Sequence, residues 1–80
     1  MTDQQIENTF SYHAPFGDQA QRYVQIRTAA KTLALVIQNA CPESREKSVA
    51  LTNLQQTVMW ANSSIAITEV PPPTQPVPKN

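Results

Sequence analysis

Most of the residues in this chain that suggest chemistry lie in one stretch, from Phe10 to Arg27. The stretch holds both phenylalanines, both tyrosines, the only histidine, the only glycine and two of the three arginines of the 80 residues. Aromatic rings offer stacking faces, and an arginine presents a planar fork of donors that suits phosphate and carboxylate groups. Together they predict a site for a planar, anionic ligand.

The aromatic part of this stretch allows two interpretations. Tyr12 offers a ring on which a base can stack and a hydroxyl that can reach a phosphate. Alternatively, Phe10, Tyr12 and Phe16 only pack the segment against the helices. The two are compatible if the phenylalanines anchor the segment while Tyr12 is presented to a ligand. His13 is then expected beside the pocket wall.

Arg27 is the sharper signal, because it falls on an apolar helical stripe where a neutral residue is expected. An arginine on a packed face needs an anionic partner. That partner is either a ligand phosphate, bound through two parallel hydrogen bonds, or a carboxylate of a neighbouring chain. The candidate carboxylates are Glu43, Glu46 and Glu69. A further alternative is a side chain that snorkels, with its charged end in water.

Two further cations flank Arg27. Arg22 follows Asp18 by four residues, a spacing that favours a local ion pair and a structural role. Lys31 lies one turn beyond Arg27 and either extends a cationic strip toward the ligand or is solvated.

The residues that several classes of function require are not found in this sequence. His13 and Cys41, the only histidine and the only cysteine, form no recognisable nucleophile–base pair or zinc motif, and a single glycine makes no phosphate loop. Six basic and six acidic residues give zero net charge, unlike a binder of DNA or RNA polymers. We therefore expect a protein that is not an enzyme and needs no metal or cofactor.

The elements that must position these residues are helices. We expect an N-terminal arm over residues 1–9, a helical-hairpin domain over 10–69 and a disordered proline-rich tail over 70–80. The hairpin helices are predicted at about 19–40 and 45–67, with Asp18 and Ser44 as N-caps and Cys41-Pro42 as the break. The main stripe of the second helix is Lys47, Leu51, Leu54, Val58, Ala61 and Ile65. A single cysteine, no signal peptide and no long apolar run predict a cytoplasmic protein.

The first hairpin helix carries two apolar stripes where a hairpin needs only one. One runs through Ala30, Ala34 and Ile37, and the other through Leu33 and Val36. Two stripes predict two packing partners, the second helix and another subunit. Since about seventy folding residues build only a marginal core, self-association is expected to stabilise the chain.

Several short motifs follow one another along the chain: Phe10-Ser11-Tyr12-His13-Ala14-Pro15, Asp18-Gln19, Arg22-Tyr23, Ile26-Arg27, Cys41-Pro42-Glu43-Ser44-Arg45-Glu46, Val58-Met59-Trp60-Ala61-Asn62 and Ser64-Ile65-Ala66. In order and spacing, these motifs resemble the phage anti-CBASS cyclic-nucleotide sponge family, whose helical hairpin also occurs in one family of anti-Thoeris sponges. The resemblance covers roughly residues 10–69.

The resemblance implies a phage protein, working in the cytoplasm of the infected bacterium, that sequesters cyclic oligonucleotide messengers without cleaving them. It implies homohexamers of helical hairpins, with cyclic dinucleotides bound between paired protomers by residues that match Tyr12 and Arg27. By our interpretation, His13 and Lys31 are weaker contributors to that pocket.

The resemblance also implies separate pockets for cyclic trinucleotides where three protomers meet. Family members often carry an arginine directly after the Ile-Ala pair of the second helix, and this chain has Ile67 there. Thr28 and Thr68 are the hydroxyl groups that remain for such a pocket. The competing interpretation is a small helical interaction module without a nucleotide ligand. A third is an adaptor bound through the proline-rich tail.

Overall fold

The computed structural model describes residues 1–70, which form three α-helices: α1 (Asp3–Phe10), α2 (Gln19–Ala40) and α3 (Arg45–Thr68). No strand occurs in this range, so the prediction of an all-α helical hairpin is confirmed. None of these helices is both long and apolar enough to cross a membrane. The predicted tail, except for the exposed Val70, lies outside the described residues.

Most of the N-terminal arm predicted for residues 1–9 is helical, because residues 3–10 form a regular α-helix. Its first turn is closed by a capping box. The Thr2 hydroxyl accepts from the Gln5 backbone N–H at 3.1 Å, and the Gln5 side chain accepts from the Thr2 N–H at 2.8 Å. Two otherwise unpaired donors are thereby satisfied.

The hairpin helices begin and end close to the predicted positions. The Ser44 side chain accepts from the Lys47 backbone N–H at 3.1 Å, as an N-cap should. Asp18 occupies the N-cap position of α2, but its side chain makes no capping bond and pairs with Arg22 instead. Before it, Gly17 has a φ of 57°, a left-handed conformation that residues with a side chain rarely adopt.

Helices α2 and α3 pack against each other through small and medium-sized side chains. On α3 the predicted stripe is half-buried at Leu51, Leu54 and Val58. On α2 the first stripe is half-buried, whereas Leu33 and Val36 of the second are 47% and 54% exposed. No apolar side chain within residues 1–70 is fully buried. A single copy of this hairpin therefore has little core.

A lysine closes the far end of the hairpin. Lys47, only 6% exposed, donates from Nζ to the Gln38 carbonyl at 2.9 Å and to Glu43 Oε1 at 2.5 Å. Gln38 lies in the last turn of α2, whose carbonyls lack partners within the helix and carry partial negative charge. The residue predicted to begin the apolar stripe of α3 thus caps the neighbouring helix.

Candidate ligand-binding site

The segment that carries Tyr12 joins α1 to α2 and is held at its start by Asn8. His13 Nε2 lies 2.6 Å from the Asn8 carbonyl, and since a carbonyl only accepts, Nε2 donates. The Asn8 side chain in turn donates to the Ile67 carbonyl of α3 at 3.3 Å. His13 is therefore a structural tie that connects the segment, through Asn8, to the end of α3.

The other end of the segment is held by Gln19, the most buried polar residue of the described chain at 2% exposure. Its Oε1 accepts from the Phe16 backbone N–H at 3.1 Å, and its Nε2 donates to Glu69 Oε1 at 2.9 Å. The segment is thus tied at both ends to residues 67–69, at the end of α3. Phe16 is half-buried there, whereas Phe10, which we expected to anchor, is 80% exposed.

Arg22 strengthens this end of the hairpin. Its two terminal nitrogens bind both Glu69 oxygens, at 2.6 and 2.5 Å, and its Nε binds Asp18 Oδ1 at 3.1 Å. The predicted pair with Asp18 is confirmed. All three guanidinium nitrogens are engaged within the chain, so Arg22 has a structural role.

The hydrogen bonds from Arg22, and then from Gln19, lower the pKa of the Glu69 carboxyl from 4.5 to about 2. The same carboxylate raises the pKa of the Arg22 guanidinium above its ordinary value. The Arg22 and Glu69 side chains remain 34% exposed, so water screens part of this interaction. The pair stays fully charged throughout the physiological pH range.

A cavity of about 470 Å³ opens between the Tyr12 segment, α2 and α3. Its size lies within the range of about 300–1,000 Å³ that is usual for small-molecule sites. Tyr12, 86% exposed, and His13 stand on one side, and Arg27 stands on α2. Three of the four residues predicted for a cyclic-dinucleotide site thus line one cavity. The remaining lining residues are Pro15, Tyr23, Asn62, Ser63 and Ala66.

Arg27 is exposed and has no ion pair within residues 1–70. Two of the three carboxylates considered as its alternative partners are already engaged, Glu69 by Arg22 and Glu43 by Lys47. Glu46 remains, on the exposed first turn of α3. The guanidinium is therefore available to an external anion.

Lys31 lies beside a second cavity. This groove of about 500 Å³ continues along the hairpin from Arg27 and is lined mainly by apolar residues, among them Leu51, Leu54 and Met59. Arg27 lines both this groove and the Tyr12 cavity, whereas Lys31 lines the groove but not the Tyr12 cavity. Lys31 is thus set apart from Tyr12 in the single chain.

The two threonines predicted for a trinucleotide pocket do not share a cavity in the single chain. Thr68 lines a shallow depression with Trp60 and Ile67, and its hydroxyl donates to the Ser64 carbonyl. Thr28 is exposed on α2 and lines neither that depression nor the Tyr12 cavity.

Tyr23, Asn62 and Ser63 were not predicted as site residues, yet they line the Tyr12 cavity. For Tyr23, the position one turn before Arg27 on the same face was the available signal. In the described chain, no group of three or more His, Cys, Asp or Glu residues is arranged to hold a metal ion.

A model of the hairpin domain of the Acb2/Tad1 family matches residues 2–66 of the chain. The chain belongs to the Acb2/Tad1 hairpin-domain family. Comparison with curated proteins and with solved structures gave no match. The resemblance seen in the sequence motifs is thereby confirmed, and membership of this family indicates a sponge-type anti-defence role.

The Acb2/Tad1 match includes α1, α2 and all of α3 except its last two residues. It therefore contains every residue that lines the Tyr12 cavity. Ile67 and Glu69, on which the ties from Asn8 and Gln19 converge, follow the matched region.

Proposed function

We propose that this chain is a phage sponge that binds cyclic oligonucleotide messengers, cyclic dinucleotides foremost, without cleaving them. It thereby blocks CBASS immunity in the cytoplasm of the infected host. The observation that carries the proposal is the single cavity shared by Tyr12 and the unpaired Arg27. An aromatic ring for the base and a guanidinium for the phosphate are the two contacts that such a ligand needs.

The proposed binding unit is a pair of chains within a homo-oligomer, a hexamer by resemblance to the sponge family. A cyclic dinucleotide is nearly two-fold symmetric, and a two-fold interface supplies two copies of Tyr12 and Arg27. The exposed apolar residues of α2 and the lack of a buried apolar side chain in residues 1–70 support self-association. Cyclic trinucleotides, with Thr28 and Thr68 at a junction of copies, are a further proposed ligand class.

The expected energetics agree with retention of the ligand. Two charge-assisted contacts contribute about 1.5–3 kcal/mol each, and two stacked bases about 1–3 kcal/mol each. The gross gain of about 5–12 kcal/mol, before ordering costs, reaches micromolar to nanomolar dissociation constants. A sponge needs tight binding without turnover, and Tyr12 and Arg27 supply binding contacts only.

A binding panel tests the proposal. The protein is titrated calorimetrically with cyclic dinucleotides, cyclic trinucleotides and the linear forms of both. Bound ligand is then released by protease digestion and identified by mass spectrometry. We expect saturable binding of cyclic dinucleotides, weaker binding of linear ones, and recovery of intact ligand. Hydrolysed ligand would indicate an enzyme, and a lack of binding across the panel would favour the ligand-free interaction module.

A further inference from the structure

One residue that lines the Tyr12 cavity has a buried polar atom whose bonding is incomplete. The carboxamide oxygen of Asn62 is buried, and no donor within residues 1–70 reaches it. Buried acceptors in folded proteins nearly always have a partner, because an orphaned acceptor has lost its water and gained nothing in exchange. Other interior polar groups of this chain, such as those of Gln19 and Lys47, are bonded. Asn62 is therefore the exception that needs an explanation.

The position of Asn62 indicates what is missing. The residue lies on α3 and lines the same cavity as Tyr12 and Arg27. Its terminal torsion is soft, so the amide can turn and present its oxygen to the cavity.

The chemistry of the missing partner follows from the acceptor. Phosphate oxygens only accept hydrogen bonds, so a phosphate cannot satisfy a carboxamide oxygen. In a nucleotide the donors are the N–H groups of the base and the hydroxyls of the ribose. Arg27 provides the charge for the phosphate and Tyr12 a face for the base, so Asn62 is left to meet the edge of that base. Asparagine pairs in this way with the exocyclic amine of adenine.

Building on the proposed function, we propose that Asn62 is a specificity-determining residue of this cavity, whose carboxamide oxygen accepts a hydrogen bond from the exocyclic amine of a purine base. The carboxamide oxygen has no partner in the free chain and gains one when the ligand enters. Selection by Asn62 penalises ligands without the amine, since they leave the buried oxygen unsatisfied.

The test couples one residue to one ligand group. Wild type and Asn62→Leu, which has a similar shape and no polar atoms, are titrated with cyclic di-adenylate. They are then titrated with its analogue in which hydrogen replaces both exocyclic amines. We expect wild type to bind the analogue about tenfold more weakly or worse, and Asn62→Leu to bind both ligands alike. The proposal would be overturned if wild type bound both ligands with equal affinity, or if Asn62→Leu still bound cyclic di-adenylate more tightly than the analogue.

A 2′-deoxyribose version of the same ligand separates base from sugar. If Asn62→Leu erases the preference for ribose rather than for the amine, the oxygen serves a hydroxyl and the base assignment is wrong. If wild type binds no cyclic dinucleotide, the proposed function fails and this inference fails with it. Binding by wild type without a preference for the amines overturns the inference alone.

Thermal unfolding without ligand gives an independent readout. Because Asn62→Leu removes an orphaned buried acceptor, we expect an unchanged or higher melting temperature, whereas a residue that holds the fold together would lower it. Asn53→Leu is the matched control, since Asn53 is an exposed asparagine on the same helix. It should alter neither the preference for the amines nor the melting temperature. Should the leucine variant not fold, Asn62→Ala serves in the same titrations.

Discussion

Gln19 and Glu69, fifty residues apart, are joined by a hydrogen bond of 2.9 Å from Nε2 to Oε1. The other atom of the same carboxamide, Gln19 Oε1, accepts from the Phe16 backbone N–H. One buried side chain thus connects the start of α2, the end of α3 and the segment that carries Tyr12. The helices of the hairpin and the proposed ligand contact are therefore energetically coupled.

Replacing Gln19 by alanine should destabilise the fold and loosen the Tyr12 segment. The buried Phe16 N–H and the Glu69 carboxylate each lose a partner, so we expect a loss of about 1–3 kcal/mol in the free energy of unfolding. Urea titration measures the change. Gln25→Ala, at an exposed position of the same helix, should change the free energy by less than about 0.5 kcal/mol. Equal losses in the two variants would refute the role of Gln19.

The stability of the fold should decline in acid partly through Glu69. Its pKa is about 2 in the folded chain and close to 4.5 without the bonds from Arg22 and Gln19. Because the folded value is the lower one, the contribution is fully present above pH 4.5 and is lost as the pH falls toward 2.

Glu69→Gln should therefore be less stable than wild type at neutral pH, with the difference shrinking across this acid range. Melting temperatures of both proteins, measured from pH 7 to pH 2, provide the comparison. A difference that stays constant with pH would mean that the carboxylate is not the titrating group. The effect is expected to be modest, since the Arg22 and Glu69 side chains are each 34% exposed and water screens their interaction.

Tyr12→Ala and Arg27→Ala should each weaken binding of cyclic dinucleotides without changing the fold. Loss of a stacked base costs about 1–3 kcal/mol, and loss of a charge-assisted bond about 1.5–3 kcal/mol, which corresponds to roughly 5- to 150-fold in affinity. Calorimetric titration measures the change. Both residues are exposed, so circular dichroism melts should superimpose on those of wild type.

Arg45→Ala is the control for charge, because Arg45 is exposed at the opposite end of the hairpin and forms no ion pair within residues 1–70. Undiminished binding in both site variants would exclude this cavity as the dinucleotide site. Weakening in Arg45→Ala as well would point to a general effect of charge.

At the far end of the hairpin, Lys47→Met should cost about 1.5–3 kcal/mol of unfolding free energy, because the Gln38 carbonyl loses its charged donor. Glu43→Gln removes only the ion pair with Lys47, and the Glu43 side chain is 86% exposed. That change should cost less than about 1 kcal/mol. Chemical denaturation of both variants tests the contrast, and similar losses would contradict the capping role of Lys47.

If the chain self-associates as proposed, the unfolding temperature should rise with protein concentration, because an interface would supply burial that the single hairpin lacks. We expect Val36→Asp, on the exposed stripe of α2, to reduce the assembly in analytical ultracentrifugation and to abolish the concentration dependence. Gln25→Asp, at an exposed polar position of α2, should leave the assembly intact. A monomer with a concentration-independent transition would exclude self-association as the source of stability.

Local rules predicted the hairpin well. Ser44 at the N-cap of α3, Pro42 in the break and the periodic stripe on α3 each depend on neighbours a few residues away. The helix at residues 3–10 was not predicted, because its capping box of Thr2 and Gln5 begins a short polar segment that has no apolar stripe. The sequence likewise predicted Asp18 as a cap, although its carboxylate is taken by Arg22.

The site was harder to predict because its geometry depends on contacts between distant parts of the chain. The aromatic segment and Arg27 were recognisable from their residue types, and both line the Tyr12 cavity. The contacts of Gln19 and Asn8 with the end of α3 span fifty or more residues and leave no local pattern. The same holds for Asn62, whose orphaned oxygen is visible only when its surroundings are known.

The hydrogen bonds from Asn8 and Gln19 both end on residues 67–69. The Tyr12 segment can therefore become ordered only after the end of α3 has been synthesised. The ribosome makes the Tyr12 segment before it makes the anchors of that segment at the end of α3. Nascent chains fold only as their contacts emerge. In a growing chain the Tyr12 segment therefore lacks its hydrogen-bonding partners until nearly all of α3 has left the ribosome. A chain interrupted within α3 has no organised site.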